Sequence, residues 1–183
     1  MKRTIGVTVS LALAAGLAWA ATAATTQEMP KPQKEHEFLK QFEGTWDSSI
    51  SFRMTGEAEW TASKGTESNR LVGGFWLISE SKGDMMGMPF TGIGQTGYDP
   101  YKKKYVSTWV DSFTPVLSVG EGTMKGNVLT TTIASTDCET GKPCTMTMTQ
   151  EFKDKDTLAW SMRMNGKDGK EFECMKGESK RKK

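Results

Sequence analysis

Residues 105–112 read Tyr-Val-Ser-Thr-Trp-Val-Asp-Ser, and this octapeptide is the clearest structural signal in the chain. Tyr105, Ser107, Trp109 and Asp111 occupy alternate positions, with Val, Thr and Val between them. Successive side chains of a β-strand point to opposite faces, so this alternation predicts a strand. The pattern alone leaves open which of the two faces points into the protein.

The same alternation recurs in both directions from residues 105–112. Turn-forming pairs such as Gly73-Gly74 and Asp99-Pro100 separate the segments and favour tight connections between strands. A loop is expected over residues 82–89. The other predicted strands span residues 46–54, 57–62, 66–72, 75–81, 90–98, 116–123, 128–136, 144–152, 157–164 and 171–176.

One segment, residues 35–42, has helical rather than strand spacing. Phe38, Leu39 and Phe42 fall on one face of it, and Gly44 ends it. Many short strands with one helix are typical of an all-β meander. Because closure of a sheet removes its exposed edges, we expect an antiparallel up-and-down β-barrel of about ten strands; a two-sheet sandwich is the alternative.

Residues 1–23 have the pattern of a secretory signal peptide. The basic pair Lys2 and Arg3 precedes an apolar run, which is shorter than the roughly 20 residues needed to span a bilayer. Signal peptidase requires small side chains at its site, so we expect cleavage between Ala20 and Ala24. A retained membrane anchor is the alternative.

The rest of the chain divides into a leader and one domain. Residues 24–34 are polar and contain two prolines, so we expect a flexible leader there. Residues 35–180 have the length of a single β-barrel domain. The signal peptide predicts a periplasmic or secreted protein with no membrane span after cleavage.

The charge balance argues against a nucleic-acid partner. The chain has 24 basic and 22 acidic residues, and cleavage removes two basic ones, which leaves equal numbers. A nucleic-acid-binding protein normally carries a basic excess. The sequence also has no nucleophile elbow, phosphate-binding glycine loop or histidine cluster, so no catalytic residue, metal or cofactor is predicted. Composition leaves the oligomeric state open.

Several short motifs point to a known family. Gly44-Thr45-Trp46 is similar to the Gly-x-Trp opening of lipocalin-like barrels, and Val72-Gly73-Gly74, Gly97-Tyr98-Asp99 and residues 103–112 resemble bacterial domain-of-unknown-function family 1579. The resemblance covers residues 35–182. It implies a lipocalin-like barrel, and it carries no established activity or catalytic residues.

The candidate ligand-binding residues are aromatic and charged side chains expected in the barrel. They are Trp46, Arg70, Phe75, Tyr98, Tyr105, Trp109, Asp111 and Trp160. Asp111 has two interpretations: it orients a ligand at the barrel mouth, or its carboxylate caps the following turn. Met146, Met148, Met162 and Met164 lie in alternating segments, where thioethers either fill a core or adapt to apolar ligands.

These residues favour binding of a small apolar or amphipathic molecule inside the barrel. An envelope interaction or structural accessory protein with a packed barrel is the alternative, and an exposed apolar patch around residues 85–90 would favour it. An enzyme that uses Asp111 with tyrosines or Arg70 is a third hypothesis. Whether the interior is hollow or packed separates the first two.

The cysteines and the single histidine give three further predictions. Cys138 and Cys144 flank a turn, so we expect a disulfide between them in an oxidising compartment. Cys174 is left over and is expected to be a buried, inert thiol. His36, at the start of the helical segment, is expected to face solvent.

Overall fold

The computed structural model describes residues 28–138 and 140–183. The predicted signal peptide lies outside these residues. Residues 28–33 are exposed and have no regular secondary structure, and residues 31–183 form the unit that contains the strands. No helix in the described part of the chain is long and apolar enough to cross a membrane.

One helix, α1 (Lys34–Lys40), precedes the strands. His36 stabilises its first turn, because its Nδ1 accepts a hydrogen bond from the backbone N–H of Gln33 at 2.9 Å. The prediction that His36 faces solvent is wrong. Its side chain is buried and packs edge-on against Phe75 and Tyr98, with ring centroids 5.3 and 5.7 Å away. The helix is therefore docked on the barrel partly through its imidazole.

Ten antiparallel strands follow, each paired with the next along the chain, and β1 closes the sheet by pairing with β10. They are β1 (Gly44–Phe52), β2 (Thr61–Val72), β3 (Trp76–Met85), β4 (Met88–Asp99), β5 (Lys104–Asp111), β6 (Ser118–Lys125), β7 (Val128–Thr136), β8 (Pro143–Asp154), β9 (Thr157–Asn165) and β10 (Glu171–Arg181). The predicted up-and-down barrel is confirmed, and the two-sheet sandwich is excluded.

The alternating strand directions give the barrel two distinct ends. Helix α1 and the β2–β3, β4–β5, β6–β7 and β8–β9 connections lie at one end, which we call the closed end. The β1–β2, β3–β4, β5–β6, β7–β8 and β9–β10 connections lie at the other, the open end. The two ends differ in packing, as described next.

The predicted strand over residues 57–62 is wrong. β2 begins only at Thr61, and Trp60 lies in the β1–β2 connection. Two cations flank its ring, the guanidinium of Arg53 at 4.5 Å and the ammonium of Lys176 at 4.3 Å from the centroid. These cation–π contacts hold Trp60 outside the strand ladder.

The predicted loop over residues 82–89 is also wrong. β3 and β4 continue as a long hairpin to a two-residue turn at Met86-Gly87, with φ angles of 56° and 78°. Positive φ at both positions is what a tight hairpin of this type requires. The side chain of Asp84 stabilises the turn, because its Oδ1 accepts a hydrogen bond from the Gly87 N–H at 2.8 Å.

The largest buried side chains gather at the closed end. The indole of Trp46 is fully buried, and its Nε1 donates a hydrogen bond to the carbonyl of Phe42 at 2.7 Å. The buried cluster around it consists of Leu39, Phe42, Trp46, Leu77, Tyr105, Leu129, Phe152 and Leu158. Leu39 of α1 and Phe42, two residues beyond the helix, belong to this cluster, so the helix and the segment that follows it plug this end of the barrel.

Arg181 joins separate parts of the closed end. Its guanidinium lies 4.2 Å from the centroid of the Trp46 ring, and its Nε donates to Asp156 Oδ1 at 3.1 Å. The two terminal nitrogens donate to backbone carbonyls of Gln41, Glu43 and Lys155. One side chain of the last strand therefore fixes the helix, the first strand and the β8–β9 turn.

We expect Leu39→Ala to lower the free energy of unfolding by about 2–5 kcal/mol, because the Leu39 side chain is fully buried beneath the plug. Lys40→Ala in the same helix is the matched control, since Lys40 is exposed, and it should change stability by no more than about 0.5 kcal/mol. Urea unfolding measures both. Equal effects of the two substitutions would contradict the assignment of α1 as a plug.

Candidate functional site

The barrel interior is hollow along its middle. A cavity of about 210 Å³ faces the open end, and a smaller one of about 140 Å³ lies between it and α1. Four residues line both cavities: Glu67, Trp109, Met148 and Gln150. Other residues of the larger cavity include Ile50, Ser81, Met85, Phe90, Leu158, Trp160, Met162 and Met175.

The structure decides which face of β5 points inward. Tyr105, Ser107 and Trp109 line the interior, whereas Val110 is exposed on the outside. The indole of Trp109 lies over Gly94, where an added Cβ would be 3.1 Å from Trp109 Cε3, and a Cβ at Gly92 would collide with the ring. Glycine on β4 therefore gives Trp109 room to lie flat on the barrel wall.

Asp111 holds Trp109 and the β5–β6 connection together. Its Oδ2 accepts a hydrogen bond from Trp109 Nε1 at 3.0 Å. Its Oδ1 accepts from the backbone N–H groups of Phe113 and Thr114, both at 2.9 Å. Of the two interpretations of Asp111, the turn cap is confirmed. The ring of Phe90 stacks on that of Trp109, with 6.5 Å between the centroids, and lies tilted at 5.7 Å from that of Phe113, which completes an aromatic cluster at the open end.

The opposite wall combines Trp160 with thioethers. Trp160 Nε1 donates to Ser179 Oγ at 3.2 Å, and the indole covers Gly177 on the neighbouring strand. Met148 and Met162 are directly opposite each other on β8 and β9, and Met175 continues the wall on β10. Unbranched, polarisable side chains of this kind adapt to apolar surfaces of different shapes.

Glu67 is a functional candidate that the sequence analysis missed. It lies on β2 directly opposite Trp46 of β1 and Ser81 of β3, so it faces the interior. Its Oε1 accepts a hydrogen bond from Asn69 Nδ2 at 2.7 Å, and its Oε2 accepts from Ser81 Oγ at 3.1 Å. The available signal was the two-residue period of residues 66–72, which places Glu67 on the face of Leu71.

The remaining predicted ligand-binding residues are spread over the closed end and the outside. Trp46 belongs to the buried cluster, and Phe75 and Tyr98 contact His36. Arg70 is exposed on the outer face of β2, so it is not brought together with Asp111 at the open end. Trp109, Trp160 and Tyr105 are the predicted aromatic residues that line the two cavities.

Tyr105 is fixed at the base of the smaller cavity. Its hydroxyl donates a hydrogen bond to the carbonyl of Glu35 at 2.9 Å, and its ring lies 5.3 Å from that of Tyr98. Burial, with smaller contributions from the Glu35 carboxylate and Tyr98, raises the pKa of Tyr105 to about 12. The phenol is therefore neutral throughout the physiological range.

The predicted Cys138–Cys144 disulfide is not formed, and both thiols are free. The strand register explains this, because Cys144 pairs with Ser135 and not with Cys138. Cys138 lies beyond the last pair, in a turn closed by the hydrogen bond from Asp137 N to Lys142 O at 2.9 Å. The spacing of the two cysteines in the sequence did not reveal this register.

The third cysteine is buried, as predicted. Cys174 Sγ lies 3.4 Å from the carbonyl oxygen of Met162, and burial raises the pKa of its thiol. A raised pKa disfavours the nucleophilic thiolate. Within residues 28–138 and 140–183, no group of three His, Cys, Asp or Glu side chains is placed to hold a metal ion.

A closed ten-stranded antiparallel barrel, plugged by a short helix and hollow inside, defines a lipocalin-like β-barrel protein. The chain belongs to the family described as protein of unknown function (DUF1579), whose pattern matches residues 31–181. Comparison with curated protein sequences gave no significant match.

Solved structures share the barrel. Rv2717c from M. tuberculosis is similar over 84% of this chain and 100% of its own, with a TM-score of 0.61 and 13% identity. The S-type phycobiliprotein lyase CPES from Guillardia theta is similar over 84% and 99%, with a TM-score of 0.55 and 12% identity. At these identities the likeness concerns the fold.

We expect Gly92→Ala to destabilise the protein by about 1–3 kcal/mol, because the new methyl group would overlap the Trp109 indole. In a Trp109→Ala background the same substitution should cost little, and a double-mutant cycle by urea unfolding measures the coupling. Gly56→Ala is the control, since a Cβ there meets nothing closer than 3.4 Å. A cost that persists without the indole would contradict the packing described.

We expect the free energy of unfolding to fall as pH rises from about 10 to 12. Over this range the native state keeps the Tyr105 proton, whereas in the unfolded chain the phenol loses its proton near pH 10. Because the native state then binds more protons than the unfolded state, rising pH favours unfolding. Tyr105→Phe should remove this part of the pH dependence. Urea unfolding at several pH values above 9 measures both slopes, and identical slopes would contradict the prediction.

Proposed function

We propose that the protein is a binding protein that holds one small apolar or amphipathic molecule inside the barrel. The observation that carries this proposal is the hollow interior, with cavities of about 210 and 140 Å³. Together they reach the lower end of the roughly 300–1,000 Å³ typical of ligand pockets. The expected ligand is therefore compact.

The chemistry of the walls supports an occupant with a substantial apolar surface. Trp109 and Trp160 cover neighbouring glycines, so each presents a broad ring face to the interior. The three wall methionines, Met148, Met162 and Met175, supply apolar surface that adjusts to the occupant. A few polar side chains, among them Gln150, are available to orient it.

We also propose that the protein works in the periplasm or outside the cell. The proposal rests on the basic, apolar and small-residue pattern of residues 1–23. A carrier in that compartment meets ligands that have left or not yet entered the cytoplasm.

An envelope accessory protein is the second candidate. The half-exposed Met86 and Met88 at the tip of the β3–β4 hairpin favour it, since they form an apolar patch at the open end. The hollow interior favours ligand binding instead, because an accessory barrel has no need for cavities that forfeit packing energy.

The binding test uses N-phenyl-1-naphthylamine, a neutral dye whose emission rises in apolar surroundings. We expect saturable binding at one site. Met148→Trp should weaken it at least about ten-fold, because the larger indole enters the wall shared by both cavities.

Thr145→Trp is the matched control for this substitution. It adds the same indole to the same strand, but on the exposed outer face, so dye affinity should be unchanged. Thermal unfolding by circular dichroism confirms that each variant is folded. Absence of saturable binding to the wild type, or equal binding to both variants, would reject the proposal.

A further inference from the structure

Glu67 gives the hollow interior a negative charge. It faces the lumen midway along β2 and lines both cavities. Its hydrogen-bond partners, Asn69 Nδ2 and Ser81 Oγ, are both neutral. An ionised carboxylate has about four acceptor positions, so two neutral donors leave it only partly satisfied.

The side chain beside Glu67, that of Asn69, contains an acceptor oxygen without a donor. Asn69 is buried, and its amide nitrogen is used by Glu67, which leaves Oδ1 with no hydrogen-bond partner among the described residues. A buried polar atom without a partner costs free energy. At Glu67 and Asn69, the acceptor positions therefore outnumber the donors that pair with them.

No described cation forms an ion pair with Glu67: Lys64 and Lys82 contribute to the lining of the larger cavity, but their positions in the strand register are on the outward face of β2 and β3. Among the inward-facing residues of the described strands, the one basic side chain is Arg181, which pairs with Asp156 and stacks on Trp46 at the closed end. Glu67 forms no ion pair with any described residue within 4.0 Å. A partly desolvated carboxylate is stabilised when a cation binds next to it.

The walls around Glu67 also suit a cation attached to an apolar body. Trp109 lines the same two cavities, and the face of an indole attracts an ammonium group. The larger cavity beside it has thioether and aromatic walls for the rest of such a molecule. Gln150, which makes no side-chain hydrogen bond to the described residues, faces the same space.

We infer that the ligand is a small amphipathic amine, with its ammonium group bound by Glu67 and its apolar body between Trp109, Trp160 and the wall methionines. The inference rests on the proposed binding function and names its ligand class. A site of this kind favours a ligand with a positively charged hydrogen-bond donor, and it disfavours a carboxylate of the same size.

The first experiment needs no substitution. Three probes of similar size, 2-phenylethylamine, 2-phenylethanol and 3-phenylpropanoate, compete at pH 7 with N-phenyl-1-naphthylamine bound to the wild-type protein. The amine should displace the dye at a concentration at least about ten-fold lower than the alcohol, and the carboxylate should be weakest. Equal potency, or a preference for the carboxylate, would overturn the inference while the binding function stands.

The second experiment removes the charge and keeps the shape. Glu67→Gln should reduce amine affinity about ten-fold more than it changes the affinity for the alcohol or the dye, so the preference for amine over alcohol is lost. Glu80→Gln, on the exposed outer face of β3, is the control and should change neither. An unchanged amine affinity in Glu67→Gln would overturn the inference. Failure of the dye itself to bind the wild type would reject the binding function and the inference together.

Discussion

The contact between Arg181 and Trp46 is the constraint on which the barrel depends. It brings the last strand against the first, where their pairing from Trp46↔Arg181 to Phe52↔Met175 closes the sheet. The same guanidinium holds the carbonyls of Gln41 and Glu43, so the helix is fixed by the residue that completes closure. The large buried side chains are therefore concentrated at the closed end, and the cavities lie in the rest of the barrel.

The hollow arises from the sizes of the inward-facing residues. Ten strands enclose more space than side chains of this composition can fill, because serine and glycine occupy many inward positions. In the hollow part of the barrel, the two indoles that point inward lie flat on a glycine of the next strand, Trp109 on Gly94 and Trp160 on Gly177. Flat rings line the wall and leave the centre open, which a protruding ring would block.

The sequence predicted the architecture because alternation and turn residues are local properties. It could not predict features that depend on register or on distant neighbours. The spacing of Cys138 and Cys144 suggested a disulfide, but the pairing of Cys144 with Ser135 decides against it. His36 is buried by aromatic rings more than 35 residues away. Glu67 lies on a strand that is largely polar on both faces, so Leu71 was the one apolar residue that indicated its inward direction.

The sharing of one carboxylate by Trp109 and the backbone of residues 113–114 has a mechanical consequence. Rotation of the indole away from the wall removes one of the donors to Asp111 and loosens the loop that the same group anchors. A displacement of the Trp109 ring inside the barrel is therefore coupled to a displacement of the β5–β6 connection at the open end. A substitution in the β5–β6 connection that displaces residues 113–114 is therefore expected to change the position of the Trp109 ring in the interior as well.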